Sequence, residues 1–353
     1  MAGGSGERFW PLSRPERPKQ LLKLTHETQT MLEEAVERIA PLLGHEQVYV
    51  STSLALKTPI QDFGVLPKER VLAEPARRNT LGAIAWVVAS LIAEGFEDAT
   101  VAVLTSDHMI GAPEKFLGTV EAALETAERE SALVTIGVTP SRPETGYGYI
   151  EFDQSQKSST ENGKQAFRSK SFREKPSHET AVRFVEAGTF LWNSGMFFFT
   201  IPTFLKELKK AQPEAFQTVE QITNALRNCN ESAAVAAFED LPNISVDYAV
   251  MERAERVFVL PSDFPWDDVG AWDALARTFE LDEMRNVSQG NTILIDAEGC
   301  VVVNDDDGAT VGVLGLHDVI VVNTRDAVLV CPKGRAQEVR RIVEAIKKRA
   351  LEA

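Results

Sequence analysis

Short apolar runs alternate with longer segments of helical period through most of this chain. The run at 100–104 (Thr-Val-Ala-Val-Leu) is continuously apolar, which is typical of a parallel strand covered on both faces. Apolar residues recur at helical spacing in 79–93 before it and in 113–129 after it, and 133–138 is predicted to be the next strand. Strands that alternate with helices in this way predict an α/β fold with a doubly wound, mixed sheet.

Two stretches depart from this alternation. Residues 153–166 are polar and are expected to form an exposed loop inside a hairpin. After residue 285 the pattern changes to short strands separated by Gly or Asp turns, predicted at 292–295, 300–303, 310–314, 319–323 and 328–331. A terminal helix with a basic outer face follows them. We therefore predict two domains, residues 1–285 and a small β-domain of residues 286–353, in which a few coils of a β-helix, of the left-handed kind, would account for the spacing.

The composition limits the class of protein. The net charge is −15, from 37 Lys and Arg and 52 Asp and Glu, so we expect the summed field to repel nucleic acid and anionic membrane surfaces. The three cysteines (Cys229, Cys300 and Cys331) are widely spaced and match neither a disulfide framework nor a zinc site. A reduced cytoplasm is the expected compartment. Neither a signal peptide nor an apolar run of bilayer length is recognisable.

The first twenty residues carry the main functional signal. Their glycines are Gly3, Gly4 and Gly6, with Ser5 between them. Glycines allow the backbone to approach a large anion and to point several N–H groups into one concavity. Arg8 and Lys19 add the positive charge that a phosphate chain requires. The segment is not a P-loop, because no Gly-Lys-Ser/Thr follows the glycines, and Phe9 stands where a dinucleotide fingerprint needs glycine.

This opening, Gly-Gly-Ser-Gly-Glu-Arg-Phe-Trp-Pro-Leu-Ser-Arg followed by Pro-Lys-Gln at 18–20, resembles the signature loop of the sugar-1-phosphate nucleotidylyltransferase family. Its Trp-Pro-Leu-Ser-Arg ending is most similar to the mannose-1-phosphate guanylyltransferase branch. Further matches run in the family's order from Gly3 to Trp272. The resemblance implies a Rossmann-like nucleotidyltransferase domain.

The start of the chain is unusual for such a loop. Met1 lies two residues before Gly3, whereas a phosphate-binding loop normally follows a buried strand of roughly five residues. We therefore expect the natural chain to begin upstream, with Met1 internal to it. The intact mass of the protein from its native source tests this expectation.

Two aspartates are candidate metal ligands. Asp107 belongs to the segment Thr-Ser-Asp-His at 105–108, which directly follows the strand at 100–104, at the sheet edge where doubly wound folds bind ligands. Asp268 belongs to the segment Phe-Pro-Trp-Asp-Asp-Val-Gly at 264–270. A nucleotide-bound Mg²⁺ typically takes one or two protein carboxylates, and the resemblance matches Asp107 and Asp268 to the family's metal ligands. The neighbouring Asp267 stays an alternative, and a helix cap or turn is the alternative role of Asp107.

Three further segments are expected to hold the sugar phosphate: residues 144–149, 172–176 and 192–196. An ammonium can neutralise a phosphate, and a carboxylate can accept hydrogen bonds from sugar hydroxyls, although Glu-Lys pairs are also common on surfaces. The resemblance implies that Lys175 holds the phosphate and that Glu174, Asn193 and Gly146 contact the sugar. It also matches Asp247, as a sugar-side or structural residue.

The segment Glu-Pro-Ala-Arg-Arg-Asn-Thr at 74–80 precedes a predicted helix, which Asn79 or Thr80 can cap. The family places its base-recognition loop here, so the resemblance assigns Glu74, Asn79 and Thr80 to the nucleotide. The Glu74 carboxylate could accept from the exocyclic amine and the ring N–H of guanine, which adenine lacks. This chemistry favours GTP.

The resemblance implies transfer of GMP from GTP to α-mannose 1-phosphate, giving GDP-mannose and pyrophosphate. The attacking phosphate is ionised near neutral pH, because the second pKa of a phosphate monoester is about 6, and no general base is needed. Catalysis is then positioning and charge neutralisation: Mg²⁺ on Asp107 and Asp268, with Arg8 and Lys19 on the leaving pyrophosphate.

Two alternative functions remain. The enzyme could use glucose or N-acetylglucosamine phosphate instead, or the chain could be a catalytically silent sensor of nucleotide sugars. The presence of both aspartates with Lys19 and Lys175 argues against a sensor. The small β-domain is expected either to cover the mouth of the site or to form a homodimer contact.

Overall fold

The computed structural model describes residues 1–4 and 6–352, so the predicted role of Ser5 lies outside the described residues. The strands of the larger domain are β1 (Val50–Ser53), β2 (Val71–Glu74), β3 (Thr100–Val103), β4 (Met109–Ile110), β5 (Leu133–Val138), β6 (Tyr149–Ser159), β7 (Gln165–Arg173), β8 (Phe190–Thr200), β9 (Val257–Pro261) and β10 (Trp266–Asp267). Its helices are α1 (Met31–Leu43), α2 (Leu54–Phe63), α3 (Asn79–Ala93), α4 (Pro113–Glu130), α5 (His178–Ala187), α6 (Ile201–Ala211), α7 (Pro213–Arg227), α8 (Glu231–Glu239) and α9 (Leu275–Thr278).

A six-stranded mixed sheet forms the centre of this domain, in the order β3-β8-β5-β9-β7-β6. Strands β5 and β9 are parallel, and the other neighbouring pairs are antiparallel. Strands β1 and β2 form a separate parallel pair. The predicted α/β fold with a mixed sheet is confirmed.

The side chains of strand β8 pack against helices on both faces of the central sheet. Successive side chains of a strand point to opposite faces, and β8 carries three consecutive buried phenylalanines. Phe197 and Phe199 pack with α3, α6 and α7 on one face, whereas Phe198 packs with α4 on the other. Burial of each ring contributes roughly 1.5–3 kcal/mol. The sheet is therefore covered by helices on both sides.

The predicted hairpin is present, since β6 and β7 are antiparallel, but the exposed loop expected at residues 153–166 is wrong in its length. Strand β6 continues to Ser159 and β7 begins at Gln165, so the two strands pair across most of the expected loop. The outer part of this ribbon is mostly exposed, and its register shifts between Asp153 and Lys157. A strand without a buried face needs no apolar alternation, and the sequence therefore carries no strand signal there.

Strand β3 also differs from its prediction. It is antiparallel to β8, and three of its four residues are only partly buried. An apolar cavity of about 870 Å³ lies between β3 and β1, lined by Val50, Ile84 and Val101 among others. The first two residues bridge these strands: the Met1 amino group donates to the Leu104 carbonyl (2.6 Å) and the Ala2 N–H to the Ser51 carbonyl (2.7 Å).

The small domain consists of β11 (Val287–Gln289), β12 (Thr292–Ile295), β13 (Val301–Asn304), β14 (Val311–Leu314), β15 (Val319–Asn323), β16 (Val328–Pro332) and the terminal helix α10 (Arg340–Glu352). Strands β11 to β15 alternate between two sheets, and β16 then pairs antiparallel with β15 in the first of them. Strands β11, β13 and β15 are parallel neighbours in one, and β12 and β14 are parallel in the other. Each coil thus supplies one strand to each sheet, as in a β-helix. The handedness of the coils stays a prediction.

The two domains share a hydrophobic core. Phe9 and Leu22 of the opening segment pack with Trp272, and the same cluster contains Val322 and Val339 of the small domain. The opening loop therefore rests on the β-domain. Within residues 1–4 and 6–352, no helix has both the length and the hydropathy of a bilayer span.

Candidate active site

The opening loop is shaped by close packing against Lys19 and Gln20. Gly6 has φ 63° and begins a tight turn in which the Phe9 N–H donates to its carbonyl (2.8 Å). A Cβ on Gly6 would also collide with the Lys19 side chain and backbone. Gln20 Nε2 donates to the Gly4 carbonyl (3.0 Å). Gly6 is therefore required for both its left-handed backbone and its close contact with Lys19.

Lys19 connects the loop to both candidate metal ligands. Its Nζ, almost fully buried, donates to the carbonyl (2.7 Å) and to Oδ2 (3.0 Å) of Asp107, and to the Asp268 carbonyl (3.0 Å). These bonds use all three donors of the ammonium. Burial alone would raise the pKa of Asp107, but the charge and the hydrogen bond of Lys19 chiefly oppose it, and that pKa lies below its usual value. The Asp107 carboxylate is thereby kept ionised.

Asp267 and Asp268 have different surroundings. The Asp267 carboxylate is buried and accepts from Arg277 Nε (2.6 Å), Arg277 Nη2 (3.2 Å) and the Val269 N–H (2.9 Å). Asp268 lines a pocket of about 380 Å³ together with Asp107 and Lys19, and its Oδ1 accepts from the Tyr147 hydroxyl (2.6 Å). Of the two described aspartates, Asp268 lines the pocket and Asp267 does not, which favours Asp268 as the metal ligand.

This pocket collects most of the loop residues. Gly4, Gly6 and Arg8 line it, as do His108 and Gly270, and Arg340 reaches it from the small domain. The Arg8 side chain makes one long hydrogen bond, from Nη1 to the Gly270 carbonyl (3.4 Å). Glycines, cations and acidic residues thus line one concave surface, which suits a phosphate chain with a metal ion.

Two aromatic residues and a histidine that the sequence analysis did not assign support the aspartates. Trp266 Nε1 donates to His108 Nδ1 (3.1 Å), and because an indole nitrogen can only donate, Nδ1 of His108 carries no proton. Burial lowers the pKa of this imidazole. Tyr147, which binds Asp268, packs edge-on against Trp192 and Trp266 with ring centroids 5.2 and 5.4 Å apart. The motifs Tyr-Gly-Tyr at 147–149 and Pro-Trp-Asp-Asp at 265–268 could have indicated Tyr147 and Trp266 from the sequence. The partners of these side chains depend on the fold.

A second polar cluster lies next to the aromatic wall formed by Tyr147, Trp192 and Trp266, beginning at Asn193 beside Trp192. Asn193 Nδ2 donates to Asp247 Oδ1 (2.7 Å), and the Asn193 N–H donates to the Gly148 carbonyl (2.8 Å). A Cβ on Gly148 would collide with the Glu174 carboxylate. Burial raises the pKa of both Glu174 and Asp247, and for Glu174 the negative charge of Asp247 adds to the effect. The cluster is therefore rich in hydrogen-bond acceptors, as a site for hydroxyl groups would be.

Lys175 and Gly146 lie at the rim of this cluster. The Lys175 side chain is 66% exposed, and its Nζ lies 3.5 Å from Glu174 Oε1. Its backbone is left-handed, with φ 44°. Gly146 is exposed, and its N–H donates to Glu144 Oε1 (3.0 Å). Gly148, rather than Gly146, is thus the glycine that lies against Glu174.

The segment 74–80 departs from its predicted capping. The residue before helix α3 is Arg78, which forms no side-chain cap. Asn79 has φ 58° and accepts from the Thr80 N–H through its own Oδ1 (2.8 Å). The Thr80 hydroxyl accepts from the Val246 N–H (2.9 Å) and so does not cap the helix. For Thr80, a tertiary contact has thus taken the place of the expected local one.

Glu74 ends strand β2 at the same edge as the loop. Its side chain is 9% exposed, and no donor within the described residues reaches its buried Oε2. Burial raises the pKa of Glu74 to about 7, against the opposing charge of Arg77. A buried, unsatisfied acceptor is costly in a folded protein and is a common feature of ligand sites.

Comparison with known proteins places this site in a family. The model of the nucleotidyl transferase family matches residues 1–285, and that of the mannoseP isomerase/GMP-like beta-helix domain matches residues 290–346. The chain belongs to the nucleotidyl transferase family and is an enzyme of that type. Its relatives include mannose-1-phosphate guanylyltransferases.

The similarity to these relatives extends over nearly the whole chain. A mannose-1-phosphate guanylyltransferase of Klebsiella pneumoniae is 35% identical over 351 residues, which cover 98% of this chain and 73% of that protein. The alginate biosynthesis protein AlgA of Pseudomonas putida is 36% identical and covers 98% and 70%. The crystal structure of a mannose-1-phosphate geranyltransferase from Thermus thermophilus matches with a TM-score of 0.86 and 36% identity over 98% of both chains.

Family members generally use a divalent metal ion. Across the described residues, no three His, Cys, Asp or Glu side chains are grouped as a metal site. The pocket offers the two carboxylates of Asp107 and Asp268 instead. This fits a hard cation whose remaining ligands are phosphate oxygens and water.

Proposed function

We propose that the protein transfers GMP from GTP to α-mannose 1-phosphate and releases pyrophosphate, giving GDP-mannose. The observation that carries this proposal is the Lys19 ammonium bound to both Asp107 and Asp268 beneath the glycine loop. That arrangement brings a phosphate-binding loop and two carboxylates to one pocket. The names of the relatives support the choice of mannose phosphate and of a guanine nucleotide.

Asp107 and Asp268 would hold Mg²⁺. Their oxygens are the ligands that this ion prefers, and Lys19 keeps Asp107 ionised. When bound, the ion neutralises charge on the α-phosphate and on the attacking group. The Tyr147 hydroxyl donates to Oδ1 of Asp268, so Oδ2 would be the oxygen that binds the ion.

The reaction itself needs little proton chemistry. The sugar phosphate oxygen attacks the α-phosphorus of GTP, the bond from that phosphorus to the β-phosphate oxygen breaks, and pyrophosphate leaves with the electron pair. The attacking phosphate is already ionised at neutral pH, since its second pKa is about 6. The protein's contribution is to align the groups and stabilise their charge.

Arg8 and Lys19 would stabilise the leaving pyrophosphate. Among the described residues, the guanidinium of Arg8 makes one long hydrogen bond, which leaves donors for a bidentate contact. Lys19 would exchange one of its three bonds for a phosphate oxygen. The backbone of Gly3, Gly4 and Gly6 would line the phosphate chain.

Lys175 would hold the incoming phosphate, and Glu174, Asn193, Asp247 and Gly146 would surround the sugar. The paired Asn193 and Asp247 side chains present fixed dipoles to hydroxyl groups. Tyr147 connects this cluster to the metal ligands through its contacts with Trp192 and Asp268. A bound sugar would therefore be placed relative to the α-phosphate by a rigid aromatic wall.

Glu74 would select guanine. Its buried Oε2 accepts no hydrogen bond from the described residues. Guanine could supply two donors, its exocyclic amine and its ring N–H. Asn79 and Thr80 would border the base. Adenine lacks that pair of donors and would leave the carboxylate unpaired, at a cost of about 1–3 kcal/mol.

We also propose the division into a catalytic domain of residues 1–285 and a β-domain of residues 286–353. A cytoplasmic location is supported by three free cysteines. The sheet formed by β12 and β14 exposes the apolar residues Ile293, Ile295 and Leu314. We propose this surface for the homodimer contact.

Pyrophosphate release from GTP and Mg²⁺, with and without mannose 1-phosphate, tests the reaction. We expect release only with the sugar phosphate, and at least a 100-fold loss in Asp268→Asn. Asp62→Asn, an exposed carboxylate paired with Lys68, is the matched control and should behave as the wild type. Release with glucose or N-acetylglucosamine 1-phosphate instead would change the substrate, and nucleotide-sugar binding without release would identify a sensor.

A further inference from the structure

We propose that Arg340 of the small domain binds the β- and γ-phosphates of the nucleotide, so that the β-domain forms part of the active site. This inference rests on the proposed function. Arg340 lines the same pocket as Gly4, Arg8 and Lys19, although more than 300 residues separate it from them in sequence. A guanidinium presents two parallel donors that match phosphate oxygens.

A nucleotide triphosphate bound in this pocket would need a further cation beside Mg²⁺ to neutralise its charge. A triphosphate with one Mg²⁺ retains about two negative charges, and the chain as a whole has a net charge of −15. Lys19 already uses all three donors on Asp107 and Asp268. Arg8 and Arg340 are then the cations of the lining that have donors to spare.

The neighbours of Arg340 are occupied elsewhere. Arg335 and Arg341 both donate to the Glu338 carboxylate, at 2.8 and 2.7 Å, and hold the pKa of Glu338 at about 2. Within the described part of the chain, Arg340 itself forms no hydrogen bond or ion pair. Its exposed guanidinium is therefore the cation of this turn that remains available to a ligand.

The backbone that carries Arg340 is fixed against the opening loop. Arg340 begins α10 directly after the turn Lys333–Val339, in which Ala336 and Val339 are buried in the same core as Phe9. The hydrophobic contact holds the base of the Arg340 side chain in place beside the pocket. Only the side chain must order itself on ligand binding.

Three ion pairs clamp the same two segments together. Lys347 Nζ lies 2.5 Å from Glu7 Oε1, Arg14 Nη2 lies 3.1 Å from Asp326 Oδ1, and Arg17 Nη1 lies 3.1 Å from Asp305 Oδ2. They are arranged along the loop that carries Arg8 and Lys19. Exposed pairs of this kind add little stability each, but together they set the register of the small domain on the loop.

The test compares GTP with GMP, because GMP lacks the two phosphates in question. Calorimetric titration with Mg²⁺ should show that Arg340→Ala weakens GTP binding by about 10-fold or more and leaves GMP binding within twofold, as expected for loss of a charged hydrogen bond worth ~1.5–3 kcal/mol. Arg340→Lys should retain part of the GTP affinity. Arg341→Ala, next in sequence but paired with Glu338, is the matched control and should leave both affinities unchanged.

Turnover gives the second readout. In the reverse direction, Arg340→Ala should raise the KM for pyrophosphate about 10-fold and leave the KM for GDP-mannose unchanged. Equal GTP affinity in Arg340→Ala and wild type, or an equal loss for GTP and GMP, would overturn the inference. If the wild type released no pyrophosphate at all, the proposed reaction would fail, while the comparison of GTP with GMP would still decide the role of Arg340.

Discussion

Nζ of Lys19 lies 3.0 Å from Oδ2 of Asp107, and this buried ion pair joins the opening loop to the end of β3. The same ammonium also binds the Asp268 carbonyl, so one side chain positions both candidate metal ligands. The phosphate loop and the metal site are therefore one structural unit. Disturbing either should affect the other.

Replacement of Lys19 by Met tests this unit. We expect at least a 100-fold loss of turnover and a free energy of unfolding lower by about 2–4 kcal/mol, because Asp107 would be left without its partner. Lys23→Met, an exposed lysine four residues later, should change neither quantity. Normal turnover in Lys19→Met, measured as pyrophosphate release, would contradict a role in the site.

Replacement of Asp267 and of Asp268 should have different effects on the Mg²⁺ requirement and on the thermal midpoint. Asp268→Asn should raise the Mg²⁺ concentration for half-maximal activity about 10-fold or more and leave the thermal midpoint nearly unchanged. Asp267→Asn should lower the midpoint, because the buried pair with Arg277 is broken, and should leave the Mg²⁺ requirement near that of the wild type. The reverse pattern would make Asp267 the ligand.

Glu74 should couple stability and nucleotide binding to pH. Its folded pKa of about 7 lies above the unfolded value of 4.5, so the folded state binds the extra proton between these values. The unfolding free energy should then fall as pH rises from about 4.5 to 7, by roughly 2–3 kcal/mol for this residue. Glu74→Gln should be more stable than the wild type at pH 8 and equal to it near pH 4.5.

GTP affinity should follow the opposite trend. The ionised Glu74 is the better acceptor for guanine, so wild-type affinity should rise between pH 6 and 8, whereas Glu74→Gln should bind weakly at both pH values. Glu69→Gln, an exposed glutamate nearby, is the control in both measurements. A wild-type affinity that is independent of pH would remove Glu74 from base recognition.

The cavity between β1 and β3 should accept an added strand. The Met1 amino group there donates to Leu104, and burial lowers its pKa to about 6. A peptide N–H would form the same bond without a charge. Five β-branched apolar residues added before Met1 should therefore raise the thermal midpoint by about 3–6 °C through burial and strand pairing. A Gly-Ser extension of equal length should not.

The sequence predicted the periodic elements well. Helix α3 and strand β5 have the predicted bounds, because long apolar periodicity depends only on local spacing. The outer half of β6 and the strand β11 were missed, since an exposed ribbon and a three-residue strand carry no such pattern. The antiparallel pairing of β3 was also missed, because an apolar run does not encode the direction of its neighbour.

The residue types of the site and the glycine-rich opening loop were determined by the sequence alone, since phosphate chemistry and close backbone approach restrict which residues can serve. Only the tertiary structure decided which group meets which. In the fold, Arg277 pairs with Asp267, and Tyr147 donates to Asp268. Lys19 binds two aspartates, and Arg340 lines the pocket. Such pairings join residues that are far apart in the chain. Their energies depend on burial and distance, which a linear pattern does not contain.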